Sequence, residues 1–517
     1  MDSRNIKLVL IEGELWWGGA VFDGTSMPYG KETFKRNLDP NETFNQSSPI
    51  LLSNKGRFIW SEDPFEFSFK DNLLTVKSKK GDLDFGEGHK NLQEVFKFVK
   101  DKYFEPKGLL PEELLFTSPQ YNTWIELIYD QEQDKILEYA QAIIDNNMPT
   151  GVFMIDDNWQ EDYGVWSFHT GRFSNPKLMV NKLHQLGFKV MLWISPFISA
   201  DSVTYRKLRN LNLLYMNGNK PHIVEWWNGY SAVLDLTNEK AVEWFDGKLQ
   251  DLMKNYGIDG FKFDAGDPVF YTLPNQEGIT TAEEDQCLAY AKIGAKYKLN
   301  EYRACWKMAG EPLVQRLQDK THSWEKAGLA SLIPNGLAQG LMGYAFICPD
   351  LIGGGEYLSF LDNSSKLDQE LFVRYAQCSA LFPMMQFSAA PWRVLDGKHL
   401  DYCVEAANLH KEFGSYILKV AKQSAKTGEP ILRHMAYAFP NNGYEEITSQ
   451  FMLGENILVA PVVKKGSYEK TIHFPEGTWQ GDDGSIEIGS CTKTVAAPLS
   501  RLPWYRKINC GGIYEES

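Results

Sequence analysis

The sequence has few of the residues and segments that would place it in several common protein classes. Its 517 residues include only seven cysteines and nine histidines, and no two cysteines form a CxxC pair. A sparse, irregular cysteine set argues against a disulfide framework and against a structural zinc site. No apolar run approaches the roughly 18 residues that a membrane span needs. We therefore expect no metal, no cofactor and no membrane partner.

Positive charge is also in deficit, since the net charge is −14 and the pI is near 5.3. An acidic surface repels phosphate backbones, which argues against a nucleic-acid partner. The N-terminus, Met-Asp-Ser-Arg-Asn, has no apolar core of a signal peptide. Such a start fits a cytoplasmic protein, and it fits equally an exported protein whose signal has been removed. The compartment and the oligomeric state stay open.

Three regions of different pattern follow one another along the chain. Residues 1–112 contain short alternating apolar runs separated by Gly, Asn, Asp and Pro, which predicts an N-terminal β-sandwich. Residues 113–423 alternate between strand and helix patterns, and residues 424–517 return to a β pattern that predicts a second sandwich. Repeated βα units without a GxGxxG motif favour a closed (β/α)8 TIM barrel over a Rossmann sheet.

Polar and aromatic residues follow the predicted barrel strands. These strands include residues 121–127, 151–155, 189–194, 260–264, 302–306, 345–348 and 384–387. Clusters at their ends begin with Asp156-Asp157, Trp193, Asp264 and Asp350. Because the C-terminal ends of the strands form the catalytic face of a TIM barrel, we expect the active site there.

Asp264 is the strongest candidate among these residues. It ends an apolar strand and is followed by Ala-Gly-Asp, whose small residues leave space above its carboxylate. A buried carboxylate must be paired or reactive, because an unpaired charge in an apolar setting is costly. Lys262 projects to the same side of the strand and could ion-pair with Asp264 or reach a substrate hydroxyl. A structural Lys–Asp pair explains the pattern about as well as a catalytic role.

Asp156 and Asp157 form a second acidic pair at a strand end. Helix capping, metal ligation and binding of sugar hydroxyls could each explain the pair. Trp159 follows and no histidine is close in the sequence, which weakens the metal interpretation. We therefore favour sugar binding by one of these two carboxylates.

The run Gly-Phe-Lys-Phe-Asp-Ala-Gly-Asp at 260–267 resembles the nucleophile motif of glycoside hydrolase family 31. Its Phe-Lys-Phe-Asp-Ala-Gly form is closest to the α-galactosidase type of that family, which includes bacterial α-galactosidases. Further segments resemble the family in the same order, at residues 227–238, 343–354, 429–434, 453–462 and 497–503. The resemblance extends from about residue 115 to 506.

The resemblance implies a retaining double displacement in which Asp264 is the nucleophile. A second carboxyl group then protonates the leaving oxygen and later activates water, about 5–5.5 Å from the first. Asp319 takes this place, five residues before Trp324, although the usual Trp-x-Gly-Asp is replaced by a sequence ending Arg316-Leu-Gln-Asp. Glu311 and Asp267 are competing acids, and Asp319 could instead cap a helix.

Several residues would bind the sugar if the resemblance holds. Arg303 fits the family arginine that contacts the sugar and the carboxylates, and Arg316 is a second candidate, with one of the two expected at the surface. Trp193, Trp227 and Trp306 are candidates for pocket walls, and each could equally be core. Asp350, in the segment ending Asp-Leu-Ile-Gly-Gly, is a further substrate-binding candidate.

One departure from the family bears on which sugar is bound. The α-glucosidases of the family carry an Arg-x-His pair after the last strand, whereas residues 385–392 contain no histidine. This difference and the Phe-Lys-Phe-Asp-Ala-Gly form favour an α-galactosidase over an α-glucosidase or α-xylosidase. Two other classes remain: a carbohydrate-binding protein with an inactive barrel, and a metal-dependent barrel enzyme using Asp156, Asp157 and Asp264.

Overall fold

The computed structural model describes residues 3–39, 45–273, 283–361 and 367–508. The N-terminal region contains two antiparallel sheets. Four strands form one sheet in the spatial order Asn5–Val9, Leu73–Ser78, Phe65–Lys70 and Phe34–Asn37. The other sheet contains Trp16–Ala20, Gln46–Ser53, Phe58–Ser61 and Leu83–Gly86. A helix, Leu92–Tyr103, follows the last strand in a region where we expected only β structure, and its N-terminus is capped by Asn91.

Eight parallel strands form the barrel, which confirms the predicted fold. Their spatial order is Ile347–Cys348, Gln315–Arg316, Leu299–Tyr302, Gly260–Phe263, Lys189–Ile194, Val152–Ile155, Gln120–Asn122 and Gln386–Phe387. The long helices that follow the strands are Gln133–Asp145, Pro176–Gln185, Glu239–Tyr256, Glu283–Gly294, Leu332–Leu341 and Gln369–Ala380, with Gly397–Glu412 and Gly414–Thr427 after the last strand. Apolar strand residues are buried on both faces, as the covered faces of a parallel sheet require.

The structure corrects two predicted strands of the barrel. The segment predicted as a strand at 121–127 ends as a strand at Asn122 and continues as the short helix Trp124–Leu127. The strand predicted at 302–306 lies at Leu299–Tyr302, three residues earlier. Cys305–Trp306 instead pairs with Gln46–Ser47 of the N-terminal sheet.

Small β-hairpins extend from the C-terminal ends of the barrel strands. Gln160–Asp162 pairs with Val165–Phe168, and Met216–Asn217 pairs with Lys220–Pro221. Phe197–Ser199, Gly229–Val233 and Ile223–Trp226 form a three-stranded sheet. Short helices of one or two turns, which include Val203–Asn210 and Pro268–Tyr271, complete this face. Long loops at this end of a barrel build its active site.

The C-terminal strands form one six-stranded antiparallel sheet in the described part of the chain, where we expected the two layers of a sandwich. In spatial order they are Leu432–Arg433, Phe451–Leu453, Ile457–Val459, Trp504–Ile508, Glu469–Gly481 and Ile486–Ala496. Their buried residues, which include Ile472, Phe474 and Trp479, form a core of their own. Across the described ranges, none of the helices combines the length and apolar character needed to cross a membrane.

Candidate active site

A pocket of about 230 Å³ lies at the C-terminal ends of the barrel strands. Thirteen of its fifteen lining residues are charged or aromatic: Trp124, Tyr129, Asp156, Asp157, Trp193, Trp227, Lys262, Asp264, Arg303, Arg316, Asp319, Glu356 and Tyr357. The sequence therefore predicted the position of the pocket in the fold.

Asp264 lies at the floor of the pocket, directly after the strand Gly260–Phe263. The Trp193 indole N–H donates to its Oδ2 at 2.7 Å, and Arg303 Nε lies 3.8 Å from its Oδ1. Oδ1 has no hydrogen-bond donor within the described ranges. Burial alone would raise the pKa of Asp264, but the charges of Lys262, Arg303 and Arg316 outweigh it and lower the pKa. Asp264 is therefore ionised, with Oδ2 held by Trp193 and Oδ1 buried near Arg303.

The turn after Asp264 needs a backbone that most residues avoid. Ala265 has φ +53° and Gly266 has φ +74°. A Cβ on Gly266 would lie 2.4 Å from Cδ1 of Tyr290, so this position excludes any larger residue. The Tyr290 hydroxyl donates to the backbone oxygen of Asp264 at 3.1 Å, which ties the turn to the neighbouring helix Glu283–Gly294.

Arg303 connects two carboxylates at the pocket floor. Its Nε donates to Asp267 Oδ2 at 3.0 Å, and its guanidinium lies 5.0 Å from the centre of the Trp227 ring. The other oxygen of Asp267 accepts the backbone N–H of Asn45 at 2.9 Å. Asp267 is thus fully engaged in holding Arg303, which argues against it as the acid of the reaction.

Arg316 lies among three carboxylates. Its Nη1 donates to Asp319 Oδ1 at 2.7 Å and to Asp350 Oδ1 at 2.8 Å, and its Nε lies 3.6 Å from Glu301 Oε1. Asp350 and Glu301 are completely buried, whereas the Asp319 side chain is 44% exposed. Asp319 is therefore the member of this group that a substrate can reach.

Asp350 organises the backbone around Asp319. Its Oδ2 accepts the backbone N–H groups of Lys320 at 2.6 Å and of Gly355 at 2.7 Å. Burial raises the pKa of Asp350 to about 7, and the contact with Arg316 offsets part of this effect. A Cβ on Gly355 would lie 2.5 Å from Asp350 Oδ1 and 3.0 Å from Asp319 Oδ1, so the loop passes tightly over both carboxylates.

Lys262 pairs with Asp156 rather than with Asp264. Its Nζ donates to Asp156 Oδ2 at 2.8 Å, and both side chains are almost completely buried. Asp156 is held further by the Thr123 hydroxyl, which accepts its backbone N–H at 2.9 Å. Lys262 still contributes through its charge to the low pKa of Asp264.

Asp157 sits beside this pair and is held by four donors. The Asn158 backbone N–H and the Gln160 amide donate to its Oδ1, and the Asn228 amide donates to Oδ2 at 2.6 Å. The Tyr163 hydroxyl lies 3.2 Å from both oxygens. Burial and the neighbouring Asp156 raise the pKa of Asp157 to about 7, although its hydrogen bonds act in the opposite direction.

Comparison with known proteins identifies the family. The TIM-barrel domain model of glycosyl hydrolases family 31 matches residues 119–417, and the C-terminal domain model of that family matches residues 428–509. The chain belongs to glycoside hydrolase family 31.

The relatives differ in their named substrates. The mouse myogenesis-regulating glycosidase is 32% identical over 404 residues, which are 76% of this chain and 56% of the relative. Alpha-glucosidase 2 of Bacillus thermoamyloliquefaciens is 25% identical over 73% of this chain and 51% of its own length. The chain thus spans about half the length of these curated relatives.

Solved structures support the fold. A family 31 dextranase of Flavobacterium johnsoniae, solved with glucose, aligns with a TM-score of 0.85 and 20% identity. The alignment covers 98% of this chain and 67% of the dextranase chain.

Most of the predicted site residues meet in the pocket of this family 31 barrel. Two residues are exceptions. Trp306 is buried against Cys287 and Ala304 away from the pocket, and Asp350 accepts a hydrogen bond from Arg316 but does not itself line the pocket. Arg303 and Arg316 both line the pocket, so neither is the surface residue that we expected. Asp319 caps no helix, since the next long helix begins at Leu332.

The sequence did not predict the aromatic wall. Trp124, Tyr129 and Tyr357 line the pocket and pack edge-on against one another, with ring centres 5.5–6.4 Å apart. They come from two separate loops, and isolated aromatic residues give no pattern from which a wall could be inferred. No described residue from 385–392, where the family histidine is missing, lines the pocket.

The carboxylates of the pocket are already held by groups of the protein. Lys262 pairs with Asp156, Trp193 and Arg303 contact Asp264, and four donors surround Asp157. These cations and N–H groups bind most of the carboxylate oxygens that a metal ion would need. Within the four described ranges, no cluster of three or more His, Cys, Asp or Glu side chains has a geometry that could hold a metal ion.

Proposed function

We propose that the protein is a retaining, exo-acting α-glycosidase, and that it removes terminal α-linked galactose by double displacement. The observation that supports this proposal is the state of Asp264, an ionised carboxylate that lines a polar pocket and whose Oδ1 receives no hydrogen bond from the described residues. Membership of family 31 supports the same reaction.

Asp264 would act as the nucleophile. Its carboxylate attacks the anomeric carbon of the bound sugar, the bond to the leaving oxygen breaks, and a covalent glycosyl-Asp intermediate forms. The hydrogen bond from Trp193 to Oδ2 holds the carboxylate plane during the attack. Lys262 and Arg303 keep the carboxylate charged before the attack. As the ester forms, the electron pair of the broken bond passes to the leaving oxygen, which takes a proton from the acid.

Asp319 would give a proton to the leaving oxygen in the first step. In the second step it removes a proton from water, which attacks the same carbon and restores the original anomeric configuration. Its exposure fits this role, because the leaving group departs toward solvent. Arg316, bonded to Oδ1, leaves the second oxygen of Asp319 for proton transfer.

Galactose is favoured over glucose and xylose as the terminal sugar. The Phe-Lys-Phe-Asp-Ala-Gly form of the nucleophile motif and the missing histidine support this preference. Asp156, Asp157 and Lys262 provide acceptors and one donor for sugar hydroxyls on one wall of the pocket. Galactose and glucose differ only at the 4-hydroxyl, so a few such contacts decide between them. α-Glucosidase and α-xylosidase activities are the alternatives, since relatives with those names are also found.

Turnover of p-nitrophenyl α-galactoside, α-glucoside and α-xyloside tests the proposal. We expect the galactoside to have the highest kcat/KM, and we expect proton NMR at early times to show the α-anomer as first product. Asp264→Ala should lower turnover by at least about a thousandfold, since no covalent intermediate can form. Asp251→Ala, which removes an exposed carboxylate from the helix Glu239–Tyr256, is the matched control and should be fully active.

Three outcomes would contradict parts of the proposal. A β-anomer as first product would exclude retention. A higher kcat/KM for the glucoside or xyloside would exclude the galactose preference alone. Negligible turnover of every glycoside by wild type and Asp264→Ala alike would instead favour a carbohydrate-binding protein with an inactive barrel.

A further inference from the structure

A β-hairpin reaches the pocket with only two residues at its tip. Its strands are Ile223–Trp226 and Gly229–Val233, and Trp226 pairs with Gly229, so Trp227 and Asn228 form the turn. Gly229 has φ +93°, a conformation that glycine adopts without strain. The tip therefore carries two consecutive side chains, of which Trp227 lines the pocket.

The base of the hairpin is firmly anchored. The Trp226 indole donates to the Ser231 hydroxyl at 3.1 Å, and its ring packs on Phe197 at 4.4 Å and on Tyr163 at 4.7 Å between centres. Trp226 is 7% exposed. The position of the tip is thus set by buried packing rather than by the pocket itself.

Asn228 connects the hairpin to three polar groups. Its Nδ2 donates to Asp157 Oδ2 at 2.6 Å and to the Tyr163 hydroxyl at 2.8 Å. Its Oδ1 accepts the Tyr129 hydroxyl at 3.1 Å. Both ends of the amide are therefore used, and the orientation of Asn228 is fixed.

These contacts determine how the Asp157 carboxylate lies. The loop after Val152–Ile155 holds Oδ1 through the Asn158 N–H and the Gln160 amide. Oδ2 is held by Asn228 together with Tyr163. Without Asn228 the Asp157 carboxylate could rotate about its Cβ–Cγ bond. Its free lone pairs would then point in another direction and would no longer accept a hydrogen bond from the same place in the pocket.

The residue at this position departs from the family pattern. Trp227-Asn228-Gly229 resembles a family segment with proline in the middle. Proline has no amide side chain and no backbone N–H, so it could make none of the three contacts. The hydrogen bonds of Asn228 are therefore specific to chains that carry a donor here.

We propose that Asn228 is a positioning residue that determines sugar specificity, by holding the Asp157 carboxylate in the orientation that accepts one hydroxyl of the terminal sugar. This inference rests on the proposed function, because it assigns the hydroxyl contact to the sugar that the proposed reaction cleaves. Asn228 contacts neither Asp264 nor Asp319, so its loss leaves the groups that break the glycosidic bond in place.

The test compares Asn228→Ala with Asn217→Ala, a matched control at the exposed strand Met216–Asn217 of the neighbouring hairpin. For Asn228→Ala we expect KM to rise about tenfold, the effect of one hydrogen bond to a charged group, with kcat within about twofold. The ratio of kcat/KM between aryl α-galactoside and α-glucoside should fall toward one. Asn217→Ala should match wild type in every parameter.

Two further variants separate positioning from a structural effect. Tyr163→Phe keeps the ring that packs on Trp226 but removes the shared hydroxyl, so we expect a smaller rise in KM at an unchanged Tm. In an Asp157→Asn background, Asn228→Ala should add almost nothing, because the two residues act through one contact. Additive effects would overturn the inference, and so would a loss of kcat at constant KM.

A binding measurement separates failure of this inference from failure of the proposed function. If wild type turns over no glycoside, the proposed function fails, and galactose binding is then followed by the fluorescence of Trp193 and Trp227 in the pocket. About tenfold weaker binding by Asn228→Ala supports the inference. Equal affinity of the two proteins, or no binding by wild type, overturns it.

Discussion

Arg316 shares one positive charge among Asp319, Asp350 and Glu301. Burial raises the pKa of Asp350 to about 7 and also raises that of Glu301, while the charge of Arg316 lowers both. The arrangement places one accessible carboxyl group beside two buried ones that act on it through the arginine.

Asp319 and Glu356 both line the pocket, whereas Glu311, the other acid considered from the sequence, does not, so a test of the acid compares these two residues. We expect Asp319→Ala to lower kcat/KM for disaccharides, which have poor leaving groups, by about 10²–10⁴-fold. An aryl glycoside with a good leaving group should be affected much less, because its oxygen needs little protonation. Steady-state kinetics over a series of leaving groups provides the measurement.

Glu356→Gln is the control for this series, and it should change all leaving groups by a similar small factor. If the leaving group makes no difference in Asp319→Ala, Asp319 is not the acid. If Glu356→Gln shows the steep dependence instead, the role belongs to Glu356.

At the scale of single residues, the sequence predicted the position of Asp264 at the end of a barrel strand, but it did not predict which residues contact its neighbour Lys262. An acid at the end of an apolar strand followed by small residues is a local pattern, which can be identified without knowing which strands become neighbours in the fold. The partner of Lys262 is not local, because Asp156 reaches it across the intervening strand Lys189–Ile194. Side-chain alternation along one strand could only suggest the wrong partner, Asp264.

Among the elements, the turn after the strand Gly260–Phe263 is the one on which the position of Asp264 depends most directly. We expect Gly266→Ala to lower the free energy of unfolding by about 1–3 kcal/mol, because the new methyl group meets Tyr290. Turnover should fall as well, since relief of the clash shifts the backbone next to Asp264. Chemical denaturation and kcat provide the two measurements.

Gly218→Ala is a matched control for the Gly266 variant. Gly218 also has a positive φ, +58°, but a Cβ there would meet no atom within 4 Å. It therefore reports the cost of backbone strain alone, and it should leave kcat unchanged. Equal destabilisation by the two substitutions would show that the contact with Tyr290 contributes nothing.

Strands with polar residues were the elements that the sequence predicted worst. Leu299–Tyr302 contains Asn300 and Glu301, and Gln315–Arg316 is polar throughout, yet all four of these side chains are buried. Asn300 donates to the backbone oxygens of Tyr297 and Pro312, and Gln386 donates to Glu301 at 2.7 Å, whereas the Gln315 amide has no hydrogen-bond partner among the described residues. A hydrophobicity pattern identifies only strands whose buried side chains are apolar, such as Lys189–Ile194.

At the scale of the whole molecule, the N-terminal region contacts the segments that carry the arginines of the pocket. Cys305–Trp306 pairs with the start of the strand Gln46–Ser53, which joins the barrel to the N-terminal sheet. The Asn45 side chain donates to the Arg303 backbone oxygen, and its backbone N–H donates to Asp267. The sequence could predict both domains, but it could not predict that their contact fixes the segments that carry the two arginines.

Gln46 tests how strongly the pocket depends on this contact. Its Nε2 donates to the backbone oxygens of Arg303 and Arg316, both at 2.6 Å, in a completely buried setting. Gln46→Ala removes both bonds, and although the Asn45 amide still donates to the Arg303 oxygen, the Arg316 oxygen loses its Gln46 donor. We expect a loss of about 1–3 kcal/mol in the free energy of unfolding. Because both arginines then move relative to Asp264 and Asp319, kcat should fall more than KM rises. Gln141→Ala, on the outer helix Gln133–Asp145, is the control and should change neither quantity. A Gln46→Ala enzyme with unchanged kcat would show that the barrel alone holds both arginines in place, without the N-terminal region.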